Sequence, residues 1–287
     1  MRYSMMKHFI LSAFSDEYAV DFTRQLEALN SFGIPYIEIR NVFGKNISTL
    51  SKNEIYEIKK ALDCHGIKVN SIGSPLGKIQ LPDDMDAHME MAKNVFETAN
   101  ILDAKCVRIF SFYPPEGKTI ENCRDEVIAA LEKMVILAET YGIILCHENE
   151  ANIYGEKPET CLDILKYFGG RIKAVFDMGN FVLGGYELFS AYIMLKEYIE
   201  YFHIKDALFA GAIVPAGKGE ARIGEILSDY AKTAKKETFI TLEPHLQIFS
   251  GLRSLTEITF DQPNKYESQE AAFTDAVIHI KKILKCL

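Results

Sequence analysis

Four places in this sequence set acids and imidazoles at the end of a short apolar run. The first is Leu145-Cys146-His147-Glu148-Asn149-Glu150, which follows Gly142-Ile143-Ile144. The others are Val175-Phe176-Asp177, Tyr201-Phe202-His203 and Thr241-Leu242-Glu243. An apolar run that ends in carboxylates reads as a buried strand delivering side chains to the mouth of a barrel. If the ends meet, three carboxylates and one imidazole suit a hard or borderline divalent cation, Mn2+, Zn2+, Co2+ or Mg2+. The six cysteines contain no C-x-x-C pair, which excludes a thiolate-rich structural zinc site.

Each residue also has a plainer use. Asp177 before Met178-Gly179-Asn180 could form a turn, and His203 could be a satisfied core histidine. A lone Glu148 or Glu243 at a strand end is more often a solvated salt-bridge partner. The joint occurrence at four consecutive strand ends is what favours a site.

The elements that must position these groups follow from the apolar periodicity. Strands are expected at 9–14, 36–40, 67–72, 106–110, the opening stretch, 172–176, 201–205 and 239–242. Between them lie amphipathic runs with helix starts and stops, among them Ser51 to Gly66 and Pro158 to Phe168. Ser15-Asp16-Glu17 reads as the N-cap and acidic first turn of the first helix. A last helix is expected at 270–284. Eight strand–helix units repeat every ~25–40 residues, with no composition shift to mark a linker, so 1–287 is read as one domain. The expected fold is α/β, a (β/α)8 barrel; an open doubly wound sheet is the runner-up, without its G-x-G-x-x-G turn.

The chain has 287 residues, 48% hydrophobic and 25% charged, which is enough for a large core. Its formal net charge of −8 argues against a nucleic-acid partner. No apolar run approaches the ~20 residues of a membrane span, and Met1 to Asp16 lacks a signal-peptide core. With unpaired cysteines, a cytoplasmic protein of reduced thiols is expected.

In a barrel, function collects at the C-terminal strand ends. Those ends carry Glu38 and Arg40, Ser71 and Ser74, Ser111, His147 to Glu150, Asp177 and Asn180, His203 with Lys205 and Asp206, and Glu243 with His245. Side chains alternate along a strand, so Glu148 and His147 point opposite ways. Periodicity does not say which of the two faces inward.

Six separated motifs resemble the sugar phosphate isomerase/epimerase family, the xylose isomerase-like TIM barrels. They are Arg108-Ile109-Phe110-Ser111-Phe112-Tyr113-Pro114-Pro115; His147-Glu148-Asn149-Glu150 with Ile153-Tyr154-Gly155; and Val175-Phe176-Asp177-Met178-Gly179-Asn180-Phe181. The rest are His203-Ile204-Lys205-Asp206-Ala207, Val214-Pro215-Ala216-Gly217-Lys218-Gly219 and Leu242-Glu243-Pro244-His245-Leu246. The resemblance runs the whole chain in order. It implies one divalent ion held by Glu148, Asp177, His203 and Glu243, and it gives His147 a supporting or helix-facing role. It also implies that Glu148 and Glu243 are the catalytic pair, exchanging a proton with a keto sugar or sugar derivative through an enediolate. Asn180, His245, Lys205, Glu150 and Glu38 are the expected substrate contacts, with Lys205 alternatively paired to Glu220.

Isomerase and epimerase are the leading activities. A sugar or polyol dehydratase on the same site is the alternative, and a non-catalytic sugar-binding barrel is the rival from another class. A homo-oligomer is allowed. The AP-endonuclease branch is disfavoured, because Glu38-Ile39-Arg40 and Ser71-Ile72-Gly73 lack the extra histidines of that branch. Where some epimerase members carry a histidine, this chain has Asn180, which cannot titrate. The arginine that those members place beyond the strand-seven histidine is also missing, with Phe209 and Ala210 in its neighbourhood and Arg222 further on. Gly211 to Gly219 carries no specific phosphate signature, and Lys118, Arg124 and Lys218 are the basic residues available for one. The segment 247–267 is expected to be a lid or a subunit contact.

Overall fold

Local signals fix most of the helices. Ser51 forms a capping box with Glu54 at the start of α2 (Lys52–His65), and Gly66 closes it in the left-handed conformation at φ 67. Pro158 opens α5 (Pro158–Phe168), which ends at the left-handed Gly169. The first helix differs from expectation. It is α1 (Phe22–Ser31), capped by Asp21, whose side chain accepts from the Arg24 amide. Ser15–Glu17 forms a separate 3-10 turn in which all three residues are buried. Asp16 and Glu17 cap nothing there; they serve as counter-charges to Arg40.

The computed structural model describes residues 8–81, 83–247 and 263–287. The segment expected to be a lid or subunit contact lies mostly at 248–262, outside the described residues. Eight parallel strands close a barrel: β1 (Phe9–Ala13), β2 (Tyr36–Ile39), β3 (Lys68–Gly73), β4 (Cys106–Ile109), β5 (Ile144–Glu148), β6 (Ile172–Asp177), β7 (Ile199–Ile204) and β8 (Thr238–Leu242). Each pairs with its sequence neighbours, and β1 closes on β8 through Phe9↔Thr238 to Ala13↔Leu242. The open doubly wound alternative is thereby excluded. The remaining main helices are α3 (Met85–Ile101), α4 (Arg124–Tyr141), α6 (Met178–Leu183), α7 (Leu188–Leu195), α8 (Ile223–Thr233) and α9 (Gln269–Cys286). Among the described residues, no helix is long and apolar enough to cross a membrane.

The barrel sorts side chains by parity. Leu145, Ile172, Phe176, Phe202 and Ile204 face the helix layer and join the main core. Cys146, Val175 and Tyr201 face inward and form a separate cluster at the barrel's lower end. Above them, in the same inward rows, come Glu148, Asp177 and His203.

Three features escaped the sequence reading. A hairpin pairs Asn41–Val42 with Lys45–Asn46 above β2. A second two-stranded piece pairs Asp206–Ala207 with Ile213–Val214. The run after Asp177, readable as a turn, is helix α6, with Asp177 as its N-cap.

Candidate functional site

Adjacent strands in register bring the expected ends together. Glu148 is paired with Val175, Asp177 with His203, and Thr241 with His203. Inward side chains at neighbouring strand tops must then converge. Glu148, Asp177, His203 and Glu243 each offer a ligand atom, these atoms lie within 4.8 Å of one another, and all four residues are buried.

His203 stands at the centre. Its Nδ1 is 2.9 Å from Glu148 Oε1, 3.4 Å from Glu243 Oε2 and 3.8 Å from Asp177 Oδ2. Its Nε2 is 3.0 Å from Glu38 Oε2, and Glu38 Oε1 accepts from the Tyr201 hydroxyl at 2.8 Å. Burial disfavours the imidazolium, but Glu148 and Glu38 outweigh it and hold the His203 pKa well above its ordinary value. The structure places Glu38 beneath the histidine, fully buried with both oxygens engaged, instead of at the mouth where a substrate contact was expected.

The two glutamates are held alike. Glu148 turns Oε1 to His203 and gives Oε2 to Arg108 Nη1 at 2.7 Å. Glu243 turns Oε2 inward and gives Oε1 to Arg40 Nη1 at 2.8 Å. Arg40 is itself fixed by a fork onto Asp16, with Nε 3.0 Å from Oδ2 and Nη2 3.1 Å from Oδ1. Burial would raise both glutamates. For Glu148 this is overcome by His203 and Arg108, and for Glu243 by Lys205 and His245, so both sit well below the usual carboxylate range. Arg40 and Arg108 were legible as inward-parity residues, Arg40 two beyond Glu38 and Arg108 two beyond Cys106. Their role as glutamate clamps was not.

Asp177 divides its oxygens differently. Oδ1 accepts from the Asn180 amide at 2.7 Å as the cap of α6, and Oδ2 is 2.9 Å from Lys205 Nζ. Burial pushes this carboxyl up to about 7, against the pull of Lys205 and helped by Glu243 and Glu148. Asn149 holds the strand end by exchanging two 3.0 Å hydrogen bonds with the Asp177 backbone.

The remaining expected residues separate by position. Lys205 lies inside the cluster, paired with Asp177 and Glu243, and the alternative pairing with Glu220 is overturned; Glu220 accepts from the Phe209 amide instead. Asn180 is half-buried beside it, with Oδ1 3.1 Å from Lys205 Nζ. His245 flanks Glu243, with Nε2 3.5 Å from Oε1 and 3.4 Å from Glu17 Oε1. Glu150 lies past the strand and pairs with Lys78 at 3.0 Å. His147 faces away from the cluster; its Nε2 is 3.0 Å from Ser111 Oγ, which also accepts from the Gly155 amide at 2.7 Å. Arg222 is on the surface, bonded to Glu225 and Glu187, and takes no part in the site.

The glycine-rich loop closes on a carboxylate of the chain itself. Asp206 accepts from the amides of Gly217, Gly219, Ala221 and Ala207 at 2.7–3.0 Å. Lys118 and Arg124 are engaged with Glu126 and Asp163, and Lys218 is exposed.

These residues fit a divalent ion. Asp16, Glu17, Glu38, Glu148, Asp177 and Glu243 are six buried acids facing three buried cations, Arg40, Arg108 and Lys205. Metal ligation needs His203 neutral and the acids ionised. In that state the balance is 3 − 6 = −3, an excess that a divalent ion would offset. Without one, the raised pKa values of His203, Asp177 and Glu17 let protons take up part of that charge. Glu243 Oε2 in particular is buried and receives no well-directed hydrogen bond, although Lys205 Nζ is 3.0 Å away.

Residues 26–256 match the family model described as xylose isomerase-like TIM barrel. No curated protein matches the sequence. Among solved structures, a D-allulose 3-epimerase from Methylomonas sp. superposes with a TM-score of 0.73 at 14% identity, covering 96% of this chain and 98% of that one. The IOLI protein, solved with a bound zinc atom, gives 0.71 at 17% identity over 96% and 98%. A probable 3-DHS dehydratase, AsbF, from Bacillus anthracis gives 0.67 at 18% identity over 83% and 92%. At these identities the likeness is one of fold.

Proposed function

The chain belongs to the xylose isomerase-like TIM barrel family, and on that premise we propose that it is a divalent-metal-dependent isomerase or epimerase of a keto sugar or sugar derivative. The observation that carries this reading is the matched presentation of Glu148 and Glu243. Each turns one oxygen to the centre, and each has its other oxygen fixed by its own arginine. A binding site needs acceptors, but it does not need two low-pKa carboxylates clamped toward one point.

Glu148, Asp177, His203 and Glu243 would hold one ion, Mn2+, Zn2+, Co2+ or Mg2+. When bound, it supplies a Lewis acid that acidifies the C–H beside a chelated carbonyl and stabilises an enediolate. One glutamate would take the proton at its inward oxygen, while its arginine holds the other oxygen in place. Return from the other glutamate inverts the carbon, and return to the neighbouring carbon exchanges aldose for ketose. Loss of a β-hydroxyl from the same enediolate would be dehydration. Glu38 accepts at His203 Nε2 and so turns Nδ1 toward the cluster. His245, Asn180 and Glu150 would be the groups that meet the substrate hydroxyls.

The test is solvent exchange. With Mn2+ in D2O, NMR should show deuterium entering a ketohexose next to its carbonyl. Glu148→Gln and Glu243→Gln should each slow that exchange by about 100-fold or more, the scale of a lost general base. Exchange that survives both substitutions unchanged would sink the two-glutamate reading.

A further inference from the structure

Lys205 is set among the groups proposed to bind metal. Its Nζ is 2.9 Å from Asp177 Oδ2 and 3.0 Å from Glu243 Oε2. These are the oxygens that each residue has left to offer. Asp177 Oδ1 is committed to capping α6, and Glu243 Oε1 is held by Arg40. The lysine therefore lies on two of the donor atoms of the proposed four-residue ligand set.

Its position is also built. The stem passes over Gly179, where an added Cβ would collide with the Cβ, Cγ and Cδ of Lys205. Gly179 has no positive φ that would require glycine, so the bare position serves the lysine stem. Asn180, next in α6, places Oδ1 3.1 Å from the ammonium. Its own Nδ2 is tied to the Asn149 carbonyl at 2.9 Å, which fixes the direction of that oxygen. The side chain is 4% exposed, so the charge interactions are little screened.

We propose that Lys205 is an internal competitor for the metal: its ammonium holds Asp177 and Glu243, must give up those two oxygens when a divalent ion binds, and thereby sets the affinity of the site. The inference rests on the metal reading above and deepens it. An ammonium and a divalent ion cannot both take the same two oxygens at full strength, and their mutual repulsion in a buried site is large. Asn180 Oδ1 gives the displaced ammonium a partner at the edge of the cluster. There it remains beside the site, able to pair with an oxygen of the substrate.

The experiment is Mn2+ binding by calorimetry after chelator dialysis, on wild type, Lys205→Met and Gly179→Ala. Lys205→Met should bind Mn2+ at least about tenfold tighter, since removing one partner of a buried pair leaves uncompensated carboxylates. Without metal it should also melt at a lower temperature than wild type and recover more on adding Mn2+. Gly179→Ala keeps the charge and all four ligands but crowds the stem out, so it should also bind tighter. It decides the matter if Lys205→Met does not fold. Wild-type binding that both variants leave unchanged or weaken overturns the competitor role while leaving the metal reading intact. Mn2+ binding to none of the three proteins overturns the metal reading itself.

Discussion

His147 has the most conspicuous side chain in the opening motif, and a titration of stability would locate it. It is 2% exposed, bonded to Ser111 and packed against Gly155, where a Cβ would collide with its ring. Burial pushes its pKa down to about 4, only weakly opposed by Glu148. The unfolded chain has a histidine near ~6.5. The folded value is the lower one, so the unfolded state takes up the proton first. The stability contribution is full above about 6.5 and is lost as pH falls toward 4. For a folded value of about 4, the linkage relation gives a loss of about 2 kcal/mol at pH 5 and about 3 kcal/mol at pH 4. His147→Gln keeps an atom able to reach Ser111 but cannot titrate. It will cost some stability at neutral pH, and the gap to wild type should shift in the variant's favour by those amounts on acidification. Asp177, whose raised pKa acts in the opposite sense, is common to both proteins and cancels. Urea denaturation of chelator-treated protein at pH 7.5, 6 and 5 measures the gap. A gap constant across these pH values to within about 0.5 kcal/mol would refute the buried, neutral placement of His147.

Two further outcomes follow from single contacts. Glu38→Gln leaves the ligands in place but removes the carboxylate behind His203, so Mn2+ affinity should fall about 10–100-fold by calorimetry; an unchanged affinity would mean that Glu38 does not orient the imidazole. Asp206→Asn exchanges one acceptor oxygen for an NH2 group facing backbone donors, and should cost about 2 kcal/mol or more in denaturant unfolding. The same change should open the 208–219 loop to limited proteolysis, and undiminished protease resistance would count against Asp206 as its anchor.

The order of elements was legible because burial on both faces writes each strand as an apolar run and each helix as a capped amphipathic stretch. Ser51, Gly66 and Pro158 did in the structure what their local chemistry required. The convergence of Glu148, Asp177, His203 and Glu243 was legible for the same reason: successive parallel strands must put their last inward residues side by side. Resemblance, not periodicity, chose Glu148 over His147, and the barrel's parity agrees with that choice.

Long-range charge partners were not legible. Ser15-Asp16-Glu17 carries every local mark of a helix start, yet Asp16 and Glu17 fold over Arg40, and Arg40 holds Glu243 from the other end of the chain. Glu38 looked like a mouth residue by its strand-end position, and the closed barrel set His203 on top of it. Lys205 had a near partner in sequence in Glu220, but only the packing of α6 against β7 decided that its ammonium would lie on Asp177 and Glu243. Sequence pattern determines which groups share a face of each strand, because that depends on the backbone period alone. Which acid a given cation neutralises depends on distances between strands far apart in the chain, and only the closed tertiary structure sets those.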